Sequence, residues 1–136
     1  MLLVGCFGGV SGLSRLDAGG VLEAYPPRRI GETSQTVVVL PRSGSIEKIV
    51  VVPRGTLGEF RVEVRQADGT WLLVRSVDGR HVSPVTVRAH HEGDAVRVVE
   101  RLLARPKQSS AYVSDAGGHV QTILVYGYPL PPREEP

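Results

Sequence analysis

Few residues in this chain have the type and spacing to do chemistry, and each has a plain structural explanation beside it. His90, His91, Glu92 and Asp94 form a cluster of potential metal ligands. Neighbours on an extended chain point to opposite sides, however, so His90 and His91 cannot readily hold one ion together, and no third ligand follows at useful spacing. A solvated turn is the expectation, with no metal and no cofactor. Serines are plentiful, but none sits in the Gly-x-Ser-x-Gly pattern of an activated hydroxyl. Glu59, Glu63, Asp68 and Asp78 fall on wetted strand positions or in turns, which does not make a carboxylate pair for glycoside hydrolysis. Gly8-Gly9 and Gly117-Gly118 make no phosphate loop. The residues therefore point away from catalysis and toward binding. Arg42, Arg54 and Arg80 lie in inferred loops beside Pro, Ser or Gly, with His81 next to Arg80. With Tyr112, these are the candidate ligand-binding residues, suited to a glycan or an acidic partner. Trp71 has the flat face that stacks on sugars, but its place directly after a turn favours packing.

These residues need a scaffold, and the hairpin from Phe60 to Val74 shows which kind. Phe60, Val62 and Val64 alternate with Arg61, Glu63 and Arg65, giving one buried and one wetted face. Asp68-Gly69 supplies a tight turn, and Trp71 to Val74 returns antiparallel. Other strands are read at Val21–Tyr25, Thr36–Leu40, Ile46–Val52, His81–Arg88, Ala95–Leu103 and Val120–Tyr126. Thr36–Leu40 is a continuous apolar run, as in a strand buried on both faces. Pro41–Gly44, Ser76–Arg80 and His90–Asp94 read as the turns between strands, and Pro84 marks an edge strand or bulge. About eight short strands predict an all-β fold, an antiparallel β-sandwich of jelly-roll type.

The chain has 136 residues, enough for one domain with its own core. Sixteen glycines and ten prolines suit a turn-rich fold, and the 5% aromatic content leaves Val, Leu and Ile to fill the core. A net charge of +2, without basic runs or interleaved aromatics, does not support nucleic-acid binding. No run of about 18 apolar residues is present to cross a membrane as a helix. The single cysteine excludes an internal disulfide. Residues 1–20 are expected to be a truncated leader and a glycine-rich flexible tether or an N-terminal arm lying on the domain, residues 21–128 the domain, and residues 129–136 a disordered, proline-rich tail.

The order of motifs resembles the galactose-binding-like superfamily, which includes the discoidin or coagulation-factor type C modules. The strand-turn-strand Phe60-x-Val62-x-Val64 to Asp68-Gly69-Thr70-Trp71 carries the likeness, with Val96-Arg97-Val98 and the closing Val125-Tyr126-Gly127. It spans roughly residues 33–127. The resemblance implies a jelly roll used to bind glycans, cell surfaces or partner proteins. Residues 29–36 lack the aspartates and the tryptophan of the family's calcium loop, and its paired terminal cysteines are missing. Separately, Leu3-Val4-Gly5-Cys6 resembles the lipobox of bacterial lipoproteins, which implies lipidation at Cys6 and a place on the bacterial cell envelope, lipid-anchored at the outer membrane or cell surface. Only five residues precede Cys6, short of a full leader. The expected function is a non-catalytic module of an envelope lipoprotein that recognises a carbohydrate or a protein partner through its end loops. The alternative is a structural subunit that docks through a sheet edge or through the apolar runs Val37–Val39 and Ile49–Val52.

Overall fold

The computed structural model describes residues 13–18, 28–29, 33–101, 112–113 and 119–131. They form eight strands: β1 (Ser14–Arg15), β2 (Arg28–Arg29), β3 (Thr33–Arg54), β4 (Phe60–Arg65), β5 (Trp71–Val77), β6 (Val85–Arg101), β7 (Tyr112–Val113) and β8 (His119–Pro129). Six make one antiparallel sheet in the order β1-β8-β3-β6-β4-β5, and β2 pairs with β7 in a separate ribbon. No helix occurs among the described residues. The all-β, antiparallel architecture expected from the alternation is the one observed.

The sheet becomes a sandwich because its two long strands belong to both layers. The first half of β3, Thr33 to Val39, runs beside Arg101 to Ala95 of β6, and that part of β6 continues to β4 and β5. The second half of β3, from Gly44 onward, lies between Gly93 to Val85 of β6 and the whole of β8. Inward residues from the two halves share one core: Val62, Val64, Val96 and Val98 from the first, and Ile46, Ile49, Val51, Val87, Ile123 and Val125 from the second. Strands that pass from one sheet to the other at a bulge are a general way to build such a corner.

The corner is made by glycine. Val39 pairs with Ala95 and Gly44 with Gly93, so β3 carries three more residues than β6 across the bend. A Cβ on Gly93 would overlap Val64 Cγ1 and lie 2.6 Å from the carbonyl oxygen of Arg65. Gly44 faces Leu16, and Gly127 of β8 lies directly against the Ser45 carbonyl. Here the structure corrects the sequence reading. Pro41–Gly44 and His90–Asp94, expected as turns that end strands, both run inside continuous ones. Glycine within a strand marks a close backbone approach as readily as it marks a turn.

Other differences follow from position. Val37 and Val39 are 42% and 57% exposed: burial alternates along this half of β3, which among the described residues pairs with β6, and these two side chains are on its outward face. Ser14–Arg15, in the stretch read as a flexible tether or an N-terminal arm lying on the domain, pairs with Tyr126 and Gly127 of β8, as an arm would. Ala95–Leu103 is a strand as read, to Arg101, and β6 begins at Val85, just beyond Pro84. The hairpin is present: Gly69 has φ +88°, and its N–H donates to the Gln66 carbonyl at 2.9 Å. Gln66 N–H also bonds to the Thr70 carbonyl, which makes a three-residue loop with glycine in the left-handed position. Asp68 Oδ1 accepts from Thr70 N–H at 2.9 Å and from its hydroxyl at 2.6 Å, and these bonds hold the carboxyl below its usual range. The strand read at Val21–Tyr25 lies outside the described residues, as does most of the tail.

Candidate functional site

Both layers end at the same side of the sandwich, opposite the corner. The connection from Arg54 to Phe60 joins the end of one layer to the end of the other. It is tied to the β5–β6 connection by Leu57 and His81, whose backbones exchange two hydrogen bonds of 2.8 Å. Gly79, at φ +89°, turns the chain just before this bridge. His81 donates from Nε2 to the Asp78 carbonyl at 2.8 Å, and its ring meets Phe60 edge-on at 5.9 Å between centroids. That imidazole shapes the loops.

A cleft of about 470 Å³ opens beside these loops. Its charged lining is Glu59, Arg61, Asp78, Glu100 and Arg101; Thr33 and Ser76 add hydroxyls, and Phe60, Val77 and Val99 add apolar surface. Glu100 is 1% exposed, and its Oε2 accepts from the Gly58 N–H at 3.2 Å. The Arg101 N–H donates to the Glu59 carbonyl at 2.9 Å, and the two side chains are 3.7 Å apart. The strand ends fix the backbone of this cleft, while its guanidiniums stay largely in solvent. Carboxylate acceptors, forked donors, hydroxyls and short apolar patches are what a small polyhydroxylated ligand requires.

The expected ligand residues are distributed unevenly around this cleft. Arg54 ends β3 opposite His119, and Arg80 and His81 lie in the β5–β6 connection, so these three share the cleft's end of the molecule. None of the three lines the cleft itself. Arg42 is at the opposite end, in the looped-out residues of the corner. Tyr112 lies on β7, paired with Arg29 in the small ribbon. Cys6 lies outside the described residues. Glu100 could have been found in the sequence: in Val96-x-Val98-x-Glu100 the alternation puts a carboxylate on the buried face.

Two other candidates are resolved by their neighbours. His90 is on β6 and not in a turn; its Nδ1 is 2.9 Å from Glu47 Oε2. Bonds from His90 and from Ser45 hold the Glu47 carboxyl below its usual range. No group of three or more potential metal ligands occurs among the described residues. Trp71 packs, but on the outer face of the sheet and not on the core. The Arg97 guanidinium lies 4.2 Å from its ring centroid, held there by a 2.6 Å bond from Nε to Glu63. Arg65 is 5.8 Å from the same ring and bonds to Asp94 at 2.8 Å. A guanidinium therefore already lies over the indole.

The fold has solved structural neighbours. The structure is similar to the family 32 module CpGH89CBM32-4 of Clostridium perfringens, solved in complex with GlcNAc-α-1,4-galactose, with TM-score 0.55 and 9% identity over 85% of this chain and 89% of that one. It is similar to the family 32 carbohydrate-binding module of Streptococcus pneumoniae EndoD, with TM-score 0.53 and 13% identity over 84% and 99%. A third, the CBM32-3 module of a family 31 glycoside hydrolase from Clostridium perfringens, gives TM-score 0.51 and 17% identity over 79% and 72%. The chain has the galactose-binding-like fold. At these identities the likeness is one of fold. No protein-family model and no curated protein sequence matches the chain.

Proposed function

We propose that this chain is a non-catalytic carbohydrate-binding module and that the cleft at the loop end of its sandwich takes the sugar. The observation that carries this reading is a polar cleft at the open end of a fold shared with carbohydrate-binding modules. Glu59 and Asp78 would accept from ring hydroxyls, Arg101 would donate, and Val77 and Val99 would meet a C–H face. Calorimetric titration with galactose, N-acetylglucosamine and GlcNAc-α-1,4-galactose tests it. At least one should bind, and Asp78→Ala or Arg101→Ala should weaken it about tenfold, as expected for one charge-assisted hydrogen bond. Absence of binding by all three sugars, or variants that bind as the parent does, would overturn the assignment.

The exposed Val37 and Val39 on the outward face of β3 favour a second reading, self-association through that apolar face. Sedimentation of the titration sample across a concentration series decides it, since a monomer throughout removes that reading.

The envelope location is a further part of the proposal, supported by Leu3-Val4-Gly5-Cys6 ahead of the domain. A lipid on Cys6 would anchor the chain at a point in the sequence shortly ahead of β1, which pairs with the corner end of β8. In a bacterial host, this chain expressed behind a lipoprotein signal peptide that ends at Cys6 should fractionate with membranes and incorporate labelled palmitate. Cys6→Ala should do neither, and a soluble, unlabelled parent would refute the anchor.

A further inference from the structure

The corner of the sandwich carries a second cleft of about 460 Å³, at the end of the molecule opposite the first. Three separate features converge on it: the looped-out residues of β3, the tip of the β4–β5 hairpin at Ala67, and the chain leaving β8 at Leu130 and Pro131. The loop is held from both sides. Leu40 before it is buried in the core, and the Ser43 carbonyl after it accepts from Leu130 N–H at 3.2 Å. Arg42 sits between these two anchors. A bulge fixed in this way directs a side chain that a regular strand would leave in the alternation. The facing wall is Glu92-Gly93-Asp94 of β6, where Gly93 allows close backbone approach and Asp94 is held by Arg65 at 2.8 Å.

We propose that this corner cleft is a second carbohydrate site, taking a neutral sugar ring with Arg42 as donor and Glu92 as acceptor. The inference rests on the carbohydrate reading above and extends it to a part of the surface that reading does not use. Charge selects the class of ligand. Among the described lining residues, Asp94 is paired with Arg65, which leaves Arg42 and Glu92 as one cation and one anion across the cleft. An anionic sugar would meet Glu92 as well as Arg42 and gain little, whereas a neutral diol is matched by both. Leu130, Pro131 and Ala67 supply the apolar surface for the ring's C–H face. Two sites at opposite ends would let one module bridge two glycan chains and bind arrayed glycans by avidity.

The test is a nitrogen-15 amide titration of the intact chain with galactose, N-acetylglucosamine and galacturonate at tens of millimolar. A neutral sugar should shift the amides of Ser43, Gly93 and Leu130 saturably, and galacturonate should shift them less. Arg42→Ala should weaken the corner response about tenfold and leave the response at Glu59 and Asp78 unchanged. Shifts confined to the Glu59 and Asp78 end would overturn the second site and leave the main reading standing. Silence at both ends would remove both. A corner response equal in Arg42→Ala, or stronger with galacturonate, would overturn the roles given to Arg42 and Glu92.

Discussion

Gly127→Ala is expected to leave the chain largely unfolded under conditions in which the parent is native. The added methyl would overlap the Ser45 carbonyl oxygen and meet Leu16 Cδ1 at 3.1 Å. A flexible side chain could move aside, but the Ser45 carbonyl is backbone, fixed between β8 and β6 by the pairs Ser45–Tyr128 and Ser45–Glu92. Relief requires β8 to separate from β3 at the corner, next to Val125 in the core. The cost should be about 3 kcal/mol or more, at the upper end of overpacking effects. Gly93→Ala should behave alike, because its methyl would overlap Val64 and approach the Arg65 carbonyl at 2.6 Å. Gly69 and Gly79 are the controls. Nothing lies within 4 Å of a Cβ at either, and only their φ values of +88° and +89° resist substitution. Alanine there should cost about 1 kcal/mol. Urea midpoints of the four variants decide the matter. If Gly127→Ala and Gly69→Ala unfold at the same midpoint, close approach at the corner is not what these glycines provide.

The contrast between those glycines also explains what could be read in advance. Gly69 was legible because its cause is local: the turn lies between two alternating strands and closes within five residues, from Gln66 to Thr70. Gly93 and Gly127 serve the backbones of Arg65 and Ser45, far away in the sequence, so nothing beside them separates a bending glycine from a turning one. The apolar run Val37–Val39 misled for a related reason. A continuous run marks a buried strand only if a second sheet or strand covers it, and neighbours along the chain do not report that. The site was less legible than the fold. Of the arginines read into loops beside Pro, Ser or Gly, Arg80 lies in one, whereas Arg42 lies within β3 and Arg54 ends it; Arg54, Arg80 and His81 share one end. The cleft itself is lined by carboxylates and guanidiniums at or just beyond strand ends, and the sequence reading named none of them as ligand-binding; Glu100 alone carried a signal, a carboxylate in an apolar alternation.

Asp17 should make a pH-dependent contribution to stability. Its side chain is 1% exposed; Oδ1 accepts the Val125 N–H at 2.7 Å, and Arg15 bonds to both oxygens at 2.8 and 2.7 Å. Burial raises its carboxyl pKa, but the bonds from Arg15 and from the Val125 N–H outweigh this, and the net result is below the usual carboxylate range. A depressed folded-state value means that the contribution is present above the unfolded value of about 3.9 and is lost as pH falls through the folded one. Asp17→Ala removes the acceptor of a buried backbone donor and should cost about 1–3 kcal/mol at neutral pH. Asp17→Asn keeps an acceptor for Val125 but not the charge facing Arg15, so it should cost less. The gap between the Asp17→Asn variant and the parent should narrow in acid, because the parent then loses its own charge. Asp68 and Glu47, which are also held low, titrate in both proteins and cancel in the difference. Urea midpoints in a pH series measure the gap, and amide exchange at Val125 reports the bond directly. A gap that stays constant into strong acid would show that the charge on Asp17 is not what ties β1 to β8. The tie matters because Leu16, between Arg15 and Asp17, lies over Gly44 and Gly127, so the carboxylate that secures this short arm also closes the corner on which both layers depend.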